Sequence, residues 1–172
     1  SEEPNHEKIR ELNKKILTEE FKDITSVVVI KDGKLILEEY FNGSNRNSLH
    51  DTRSVGKSFA STLTGFAIRD GYLQNENQKL GTFYPLKTFS NYSTQKENIS
   101  IKDLLTMSSS FDGSDRNDQS PGNEENMYPT ANWVTFTLNL PTDSLQQNGK
   151  QWDYFTAGVI LLGDILHKSI PE

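Results

Sequence analysis

The stretch that decides the fold is Asp51-Thr-Arg-Ser-Val-Gly-Lys-Ser-Phe-Ala-Ser-Thr-Leu-Thr-Gly-Phe-Ala-Ile-Arg69. It carries no charged residue from Ser58 to Ile68, whereas a helix on a protein surface has charged side chains along one face. Gly71, just beyond the stretch, is a typical signal for the end of a helix. The sequence therefore predicts a helix over Ser54–Asp70 that is buried on nearly all sides.

At the start of this helix, Ser54 and Lys57 are three residues apart, which places the hydroxyl and the amine on the same helical face. Burial and the positive end of the helix dipole both favour an uncharged amine. An uncharged amine beside a hydroxyl can take its proton and make the serine a nucleophile. The backbone N–H of Ser54 would supply half of an oxyanion hole. The spacing therefore indicates acyl-transfer chemistry.

Other interpretations of these residues stay open at the level of pattern. Ser-x-x-Lys occurs by chance, and Ser93-Thr-Gln-Lys96 is a second copy in a polar stretch that we interpret as structural. Gly56-Lys57-Ser58 matches the end of a phosphate-binding P-loop, but Asp51 stands where its first glycine belongs. His50, Asp51 and Ser54 are the residue types of a Ser–His–Asp triad, but the Gly-x-Ser-x-Gly turn is missing.

The amino-acid composition argues against several classes of function. The chain has 172 residues, with 18 basic and 24 acidic side chains and a net charge of −6, which argues against non-specific binding to nucleic acid or to an anionic membrane. It has no cysteine, which excludes disulfides, thiolate zinc sites and a cysteine nucleophile. No apolar run approaches the length of about eighteen residues that a spanning helix needs. The polar start, Ser1 to Arg10, is typical of a mature N-terminus or a tether.

Outside the central stretch, the chain predicts a mixture of helices and strands. Apolar positions at helical spacing predict an amphipathic surface helix over residues 7–22. Asp32-Gly33 between two apolar runs predicts a hairpin. The remaining expectations are an irregular segment over 74–100, a short helix over 99–107 with a capping box at Ser100 and Asp103, a long loop over 108–126, a helix or strand over 131–138, and a helix over 158–168. Asp112, Asp115 and Asp118 in the long loop lack the EF-hand pattern, and we interpret them as solvated residues at the rim of a cleft.

Three segments, in this order, resemble the serine β-lactamase and penicillin-binding-protein superfamily, in particular its class C β-lactamase-like hydrolases and esterases. Arg53–Phe59 resembles the Ser-x-x-Lys helix of that superfamily. Ile99–Ser110 is similar to its Leu-Leu-Thr segment, and Gly149–Gly163 is similar to its Tyr-x-Asn motif and the helix that follows. Three motifs in order are more specific than any single one. The resemblance implies an α+β fold of the β-lactamase/transpeptidase type, an antiparallel sheet flanked by helices.

The resemblance also implies roles for individual residues. Ser54 would be the acylated nucleophile, Lys57 its base, and Tyr154 the group that passes a proton to the leaving group. By itself, Tyr154 beside Trp152 and Phe155 is typical of a core aromatic. Thr156 stands where the motif usually has asparagine, so substrate amide recognition is in question. The candidate substrate-binding residues are Ser58, Trp152 and Thr156.

The implied activity is that of a serine hydrolase acting on esters, small amides, or substrates like β-lactams and D-Ala peptides, with no metal or cofactor. A non-catalytic binding or regulatory relative and, less favoured, a P-loop nucleotide-binding protein are the alternatives. A periplasmic, cell-envelope or secreted location is the habit of the family.

The third motif of the family, Lys-Thr-Gly or His-x-Gly, does not follow Tyr154 in this sequence. Only one hairpin is evident, and two strands alone are marginally stable. We therefore expect residues 1–22 to form a tether and surface helix, and residues 23–172 to form the N-terminal part of a hydrolase domain. The remainder of that domain, missing or on a second chain, is the expected partner, besides a small-molecule or peptide-like substrate.

Overall fold

The computed structural model describes residues 5–171, which form two compact units divided after Asp51. The first four residues of the predicted tether and the last residue, Glu172, lie outside the described range. The hydrophobic core cluster of the described residues lies in the second unit. No helix within the described residues is both long and apolar enough to cross a bilayer.

The first unit contains a helix and a hairpin. Helix α1 is His6–Leu17, and strands β1 (Ser26–Lys31) and β2 (Lys34–Tyr40) pair antiparallel, with a bulge at Ile36 in β2. Asp32 and Gly33 have φ angles of +51° and +74°, the positive values that a tight two-residue hairpin turn needs. The predicted hairpin is therefore confirmed, with the turn at the predicted dipeptide, and α1 is shorter than the predicted helix.

The second unit is helical and begins with a 3-10 turn, Arg53–Val55, that leads into α2. Its helices are α2 (Gly56–Arg69), α3 (Leu80–Phe83), α4 (Thr94–Glu97), α5 (Ile101–Leu105), α6 (Glu124–Met127), α7 (Trp133–Asn139) and α8 (Thr156–Ser169), with a further 3-10 turn at Leu86–Thr88.

Helix α8 lies at the centre of this unit, where it packs against α2, α5 and α7. Half of its residues are buried, and Gly158 lets the Phe155 ring approach so closely that a β-carbon there would lie 2.8 Å from it. Apolar burial of this kind is the main favourable contribution to folding. The buried residues of α8 are Thr156, Ala157, Gly158, Leu161, Leu162, Ile165 and Leu166.

Several local predictions are confirmed in this unit. Ser100 and Asp103 form the predicted capping box, in which each side chain accepts a hydrogen bond from the backbone N–H of the other residue. The segment over 131–138, predicted as helix or strand, contains helix α7. The segment over 74–100, predicted as irregular, holds two short helices and a 3-10 turn.

The prediction that α2 is buried on nearly all sides is wrong for the described residues. Thr64 and Ala67 are buried, but the opposite face carries a row of exposed apolar side chains, which we call the α2 stripe. Its members recur every three or four residues and therefore share one face. The face is uncharged as predicted, but its side chains are 48–63% exposed among the described residues. The α2 stripe consists of Val55, Phe59, Leu63 and Phe66.

Lys96 is the largest fully buried side chain among the described residues. Its Nζ donates hydrogen bonds to the backbone carbonyls of Ser90 (3.1 Å) and Leu138 (2.8 Å), so it ties the loop before α4 to the end of α7. Burial lowers the pKa of Lys96 from 10.5 to about 8, because the interior disfavours the charged ammonium.

This burial predicts an unusual pH dependence of stability. Between pH 8 and 10.5 the unfolded chain holds a proton on Lys96 that the folded chain does not, so the free energy of unfolding should rise with pH in this window. We expect a rise on the order of 1–3 kcal/mol in urea denaturation between pH 7 and pH 10. Lys96→Met should flatten that rise, whereas Lys102→Met, at an exposed lysine, should keep it. Equal pH slopes in the two variants would contradict the assignment.

Candidate active site

The centre of the candidate site is a hydrogen bond between Lys57 and Ser54. Helix α2 begins one residue before Lys57, and the Lys57 Nζ donates to the Ser54 Oγ over 3.1 Å. Ser54 is exposed and Lys57 is half-buried. The predicted meeting of hydroxyl and amine on one helical face is confirmed, in the geometry that a base needs to take the proton of a hydroxyl.

The backbone immediately before Ser54 is unusual. Arg53 has a φ of +47°, in the left-handed region that a non-glycine residue rarely adopts. Such conformations cost free energy and cluster at functional sites, where the surrounding structure maintains them. Ser54 therefore stands at a sharp entry into the helical segment, where backbone N–H groups lack partners within the helix.

The second Ser-x-x-Lys copy shows what the same pattern does elsewhere. The Ser93 Oγ accepts a hydrogen bond from the Lys96 backbone N–H and thereby caps α4, while the Lys96 Nζ bonds to backbone carbonyls. Its amine is therefore occupied by the backbone and sealed from solvent. The structural interpretation of this copy agrees with that geometry.

Tyr154 lies against the Lys57 amine, although the two residues are far apart in sequence. The Lys57 Nζ is 5.1 Å from the centroid of the Tyr154 ring. Tyr154 immediately precedes Phe155, the N-cap of α8, and α8 packs against α2, so helix packing brings the two together. Trp152 meets the Tyr154 ring edge-on, with centroids 6.5 Å apart. The structure thus brings together the three predicted catalytic side chains.

The long loop between α5 and α6 folds against the segment that carries Tyr154. Gly113 lies directly on the Phe155 ring, where any β-carbon would overlap it. The Ser114 Oγ donates to Asp153 Oδ1 over 2.8 Å, and the Asp115 N–H donates to the Tyr154 carbonyl over 2.8 Å. The loop is thus a packed part of the site.

Asp115 has a role in the site that no sequence pattern predicts. We interpreted the residue as solvated, but its carboxylate accepts hydrogen bonds from two backbone N–H groups. No local signal marks it, because one of those partners, Thr156, is 41 residues away.

The three predicted substrate-binding residues differ in their surroundings. Trp152 is 56% exposed and forms a wall beside Tyr154, and Ser58 is exposed next to Lys57. Thr156 is buried, and its Oγ1 has no hydrogen-bond partner among the described residues. The geometry therefore keeps Ser58 and Trp152 as candidates and places the Thr156 hydroxyl away from solvent.

His50, a candidate of the rival triad, and Tyr40, the last residue of β2, have other partners. The His50 Nε2 lies 3.3 Å from the Ser44 Oγ, and the Tyr40 hydroxyl donates to Glu38. That hydrogen bond raises the pKa of Tyr40 above its ordinary value. Within residues 5–171, no group of three or more histidine or carboxylate side chains is arranged to hold a metal ion.

Comparison with known proteins places this geometry in a family. A family model described as Beta-lactamase matches residues 20–169. The chain belongs to the β-lactamase family. No curated protein matches the chain.

Two solved structures share the β-lactamase fold with this chain. A chain from Bacillus anthracis described as a 6-aminohexanoate-dimer hydrolase aligns at a TM-score of 0.65 with 17% identity, over 91% of this chain and 43% of that one. An octameric penicillin-binding protein homologue from Pyrococcus abyssi aligns at 0.66 with 18% identity, over 96% and 39%. The predicted fold class is therefore confirmed, and this chain spans about two fifths of the length of either neighbour.

The contact between Gly113 and Phe155 can be tested by adding a single methyl group. Gly113→Ala should lower the free energy of unfolding by roughly 1–3 kcal/mol, because the new β-carbon would overlap a buried ring. Gly65→Ala is the matched control, since no atom lies within 4 Å of its β-carbon position in α2. That substitution should stabilise the helix by up to about 1 kcal/mol. Urea denaturation measures both, and equal stability of the two variants would contradict the contact.

Proposed function

We propose that this protein is a serine hydrolase that forms an acyl-enzyme on Ser54. The observation that supports the proposal is the 3.1 Å hydrogen bond between the Lys57 Nζ and the Ser54 Oγ, with the ring of Tyr154 packed on the same amine. A nucleophile bonded to a base, with a third group in contact with that base, is a usual composition of a covalent hydrolase site. The family of the chain supports the same reaction class.

The proposed reaction has two steps. The Ser54 Oγ attacks the carbonyl carbon of the substrate while the Lys57 amine takes the hydroxyl proton, and the N–H of Ser54 stabilises the developing oxyanion. The proton then passes through the Tyr154 hydroxyl to the leaving group, and the bond between carbonyl carbon and leaving group breaks. In the second step, water gives a proton to the same base while its oxygen bonds to the acyl carbon. The bond between that carbon and the Ser54 Oγ then breaks, the base returns the proton to the Oγ, and the acid leaves.

The surroundings of the site support carboxylic esters as the preferred substrates, with small amides and substrates like β-lactams or D-Ala peptides as further candidates. Trp152 offers an exposed apolar wall beside Tyr154, and Ser58 offers a hydroxyl beside Lys57. Thr156 occupies the position of the usual asparagine, and its hydroxyl is buried. The site therefore lacks the side-chain amide that would recognise a substrate amide group.

A fluorophosphonate probe tests the nucleophile. In the full-length protein, mass spectrometry should find a covalent phosphonyl group on Ser54, and Ser54→Ala should abolish it. Lys57→Met should slow labelling by about 10²- to 10⁴-fold, because the base is lost. The matched control is Lys96→Met, which removes the lysine of the second Ser-x-x-Lys copy and should change the labelling rate less than about twofold, since that amine bonds only to backbone carbonyls in the structure.

Labelling together with an ATP-binding assay separates the alternative functions. Absence of label together with ATP binding would support the P-loop interpretation of Gly56-Lys57-Ser58. Absence of both would support a non-catalytic binding or regulatory relative, for which the substitution at Thr156 is the sequence argument. Label at Ser93 in place of Ser54 would contradict the site assignment.

We also propose that the remainder of the hydrolase domain covers the α2 stripe. Phe59 and Leu63 in this stripe are 62% and 51% exposed, although they lie on the helix that carries Lys57. A continuous exposed apolar row marks a surface that another element contacts. The chain spans 43% and 39% of its two structural neighbours, which supports further parts of the same domain as the occupant.

Substitutions in the α2 stripe, made in the 172-residue chain and in the full-length protein, test whether the remainder of the domain covers the stripe. In the 172-residue chain alone, Phe59→Gln with Leu63→Gln should reduce binding of a hydrophobic dye and leave the thermal midpoint nearly unchanged, because these side chains are exposed there. In the full-length protein, the same pair should cost roughly 2–5 kcal/mol of stability, because both side chains would be buried. Leu145→Gln, at an isolated exposed leucine, should have little effect in either context. Equal stability losses in both contexts would contradict the cover.

The location that we propose is the periplasm, the cell envelope or the medium, following the habit of the family. Detection of the fluorophosphonate-labelled protein only in the cytoplasmic fraction of the native cell would contradict this proposal.

A further inference from the structure

The carboxylate of Asp115 is bonded to two helix starts at once. Its Oδ2 accepts a hydrogen bond from the N–H of Thr156, the first residue of α8, over 2.7 Å. Its Oδ1 accepts from the N–H of Glu124, the first residue of α6, over 3.0 Å. Helix starts carry unsatisfied N–H groups and a positive partial charge, so an anionic acceptor is well matched to both.

The backbone of Asp115 adds a third bond to the same segment. Its N–H donates to the carbonyl of Tyr154 over 2.8 Å. Asp115 therefore makes hydrogen bonds to the backbone on both sides of Phe155, at the carbonyl of Tyr154 and at the N–H of Thr156. Hydrogen bonds to an ionised group are stronger than neutral ones. The two bonds together restrain the backbone that carries the Tyr154 side chain.

Helix α8 depends on this carboxylate because the side chain of its own N-cap residue cannot accept a hydrogen bond. Phe155 occupies the cap position and makes no side-chain hydrogen bond to the helix. The usual cap residues supply an oxygen from the chain just before the helix. Here the oxygen comes from a loop 41 residues away in sequence, so the position of the loop and the position of Tyr154 are set together.

From these contacts we propose that Asp115 is the residue that positions Tyr154 against Lys57 for catalysis. The proposal rests on the proposed serine hydrolase function and adds a residue to it. Asp115 does not touch the reacting atoms, and it acts through Tyr154, whose ring lies 5.1 Å from the Lys57 Nζ. Misplacement of a reacting group by about 1 Å can lower the rate by a factor of about 10². Loss of the Asp115 hydrogen bonds should therefore lower kcat.

The neighbouring carboxylates do not share this arrangement. Asp118, three residues further along the same loop, is exposed, and Asp153 accepts from the Ser114 hydroxyl and lies 3.5 Å from Arg116. Asp118→Asn therefore removes the same charge from the same loop without disturbing a backbone contact of Tyr154. It is the matched control for Asp115→Asn.

The test is steady-state hydrolysis of ethyl butyrate by the full-length protein, measured by titration of the released acid, because the ethanol leaving group of this ester needs a proton from Tyr154. Asp115→Asn should lower kcat by about 10- to 100-fold with KM changed less than about threefold, because the amide can accept from only one of the two N–H groups. Fluorophosphonate labelling of Ser54 should stay within about threefold of the unmodified protein, since the fluoride leaves without a proton from Tyr154. Asp118→Asn should leave kcat, KM and labelling unchanged.

A double-mutant cycle separates positioning from general stability. In a Tyr154→Phe background, Asp115→Asn should lower kcat by less than about twofold further, because the group that it positions no longer transfers a proton. A merely structural role would reduce kcat by the same factor in both backgrounds and would reduce labelling of Ser54 in parallel. Either of those results, or an unchanged kcat in Asp115→Asn, would overturn the proposal.

A second variant keeps the test decisive if Asp115→Asn does not fold. Thr156→Pro removes the N–H that donates to the Asp115 Oδ2, together with a side-chain hydroxyl that has no hydrogen-bond partner among the described residues, at the first helical position, where proline is tolerated. It should lower kcat with Ser54 labelling retained, and an unchanged kcat would overturn the proposal. Absence of label on Ser54 in the unmodified protein would instead overturn the proposed hydrolase function, so the two failures are distinguishable.

Discussion

The candidate site depends on the burial of helix α8 among α2, α5 and α7. Helix α2 carries Lys57 one turn after Ser54, and Tyr154 stands just before the first turn of α8. Packing of these two helices therefore closes the distance between residues that are almost a hundred positions apart. Burial of the apolar side of α8 contributes favourable free energy of folding. The position of the N-terminal end of α8 then sets the catalytic geometry.

Features set by neighbouring residues could be predicted from the sequence. The hairpin turn at Asp32-Gly33, the capping box at Ser100 and the contact between Ser54 and Lys57 each involve residues at most three positions apart. The resemblance of three ordered motifs then indicated the fold, including a role for Tyr154 that its aromatic neighbours alone would not have suggested. These features need only local geometry or a known pattern.

Other features depend on contacts that no local pattern reveals. Asp115 and Thr156 are 41 residues apart, and nothing in the composition of the loop distinguishes Asp115 from Asp118. The second Ser-x-x-Lys copy has the same letters as the first, yet Lys96 is enclosed by backbone carbonyls. The predicted burial of α2 is wrong for a related reason. An uncharged helix face indicates that the face is suited to packing, but it does not indicate which part of the chain packs against it.

The loop between α5 and α6 divides into two parts that evolution and protein engineering would treat differently. At its base, Gly113 has no room for a side chain and Asp115 is bonded to two helix starts, so this part tolerates little variation. The tip, residues 116–119, is exposed. A mutant library that diversifies the tip and spares the base would therefore preserve the backbone contacts that hold Tyr154.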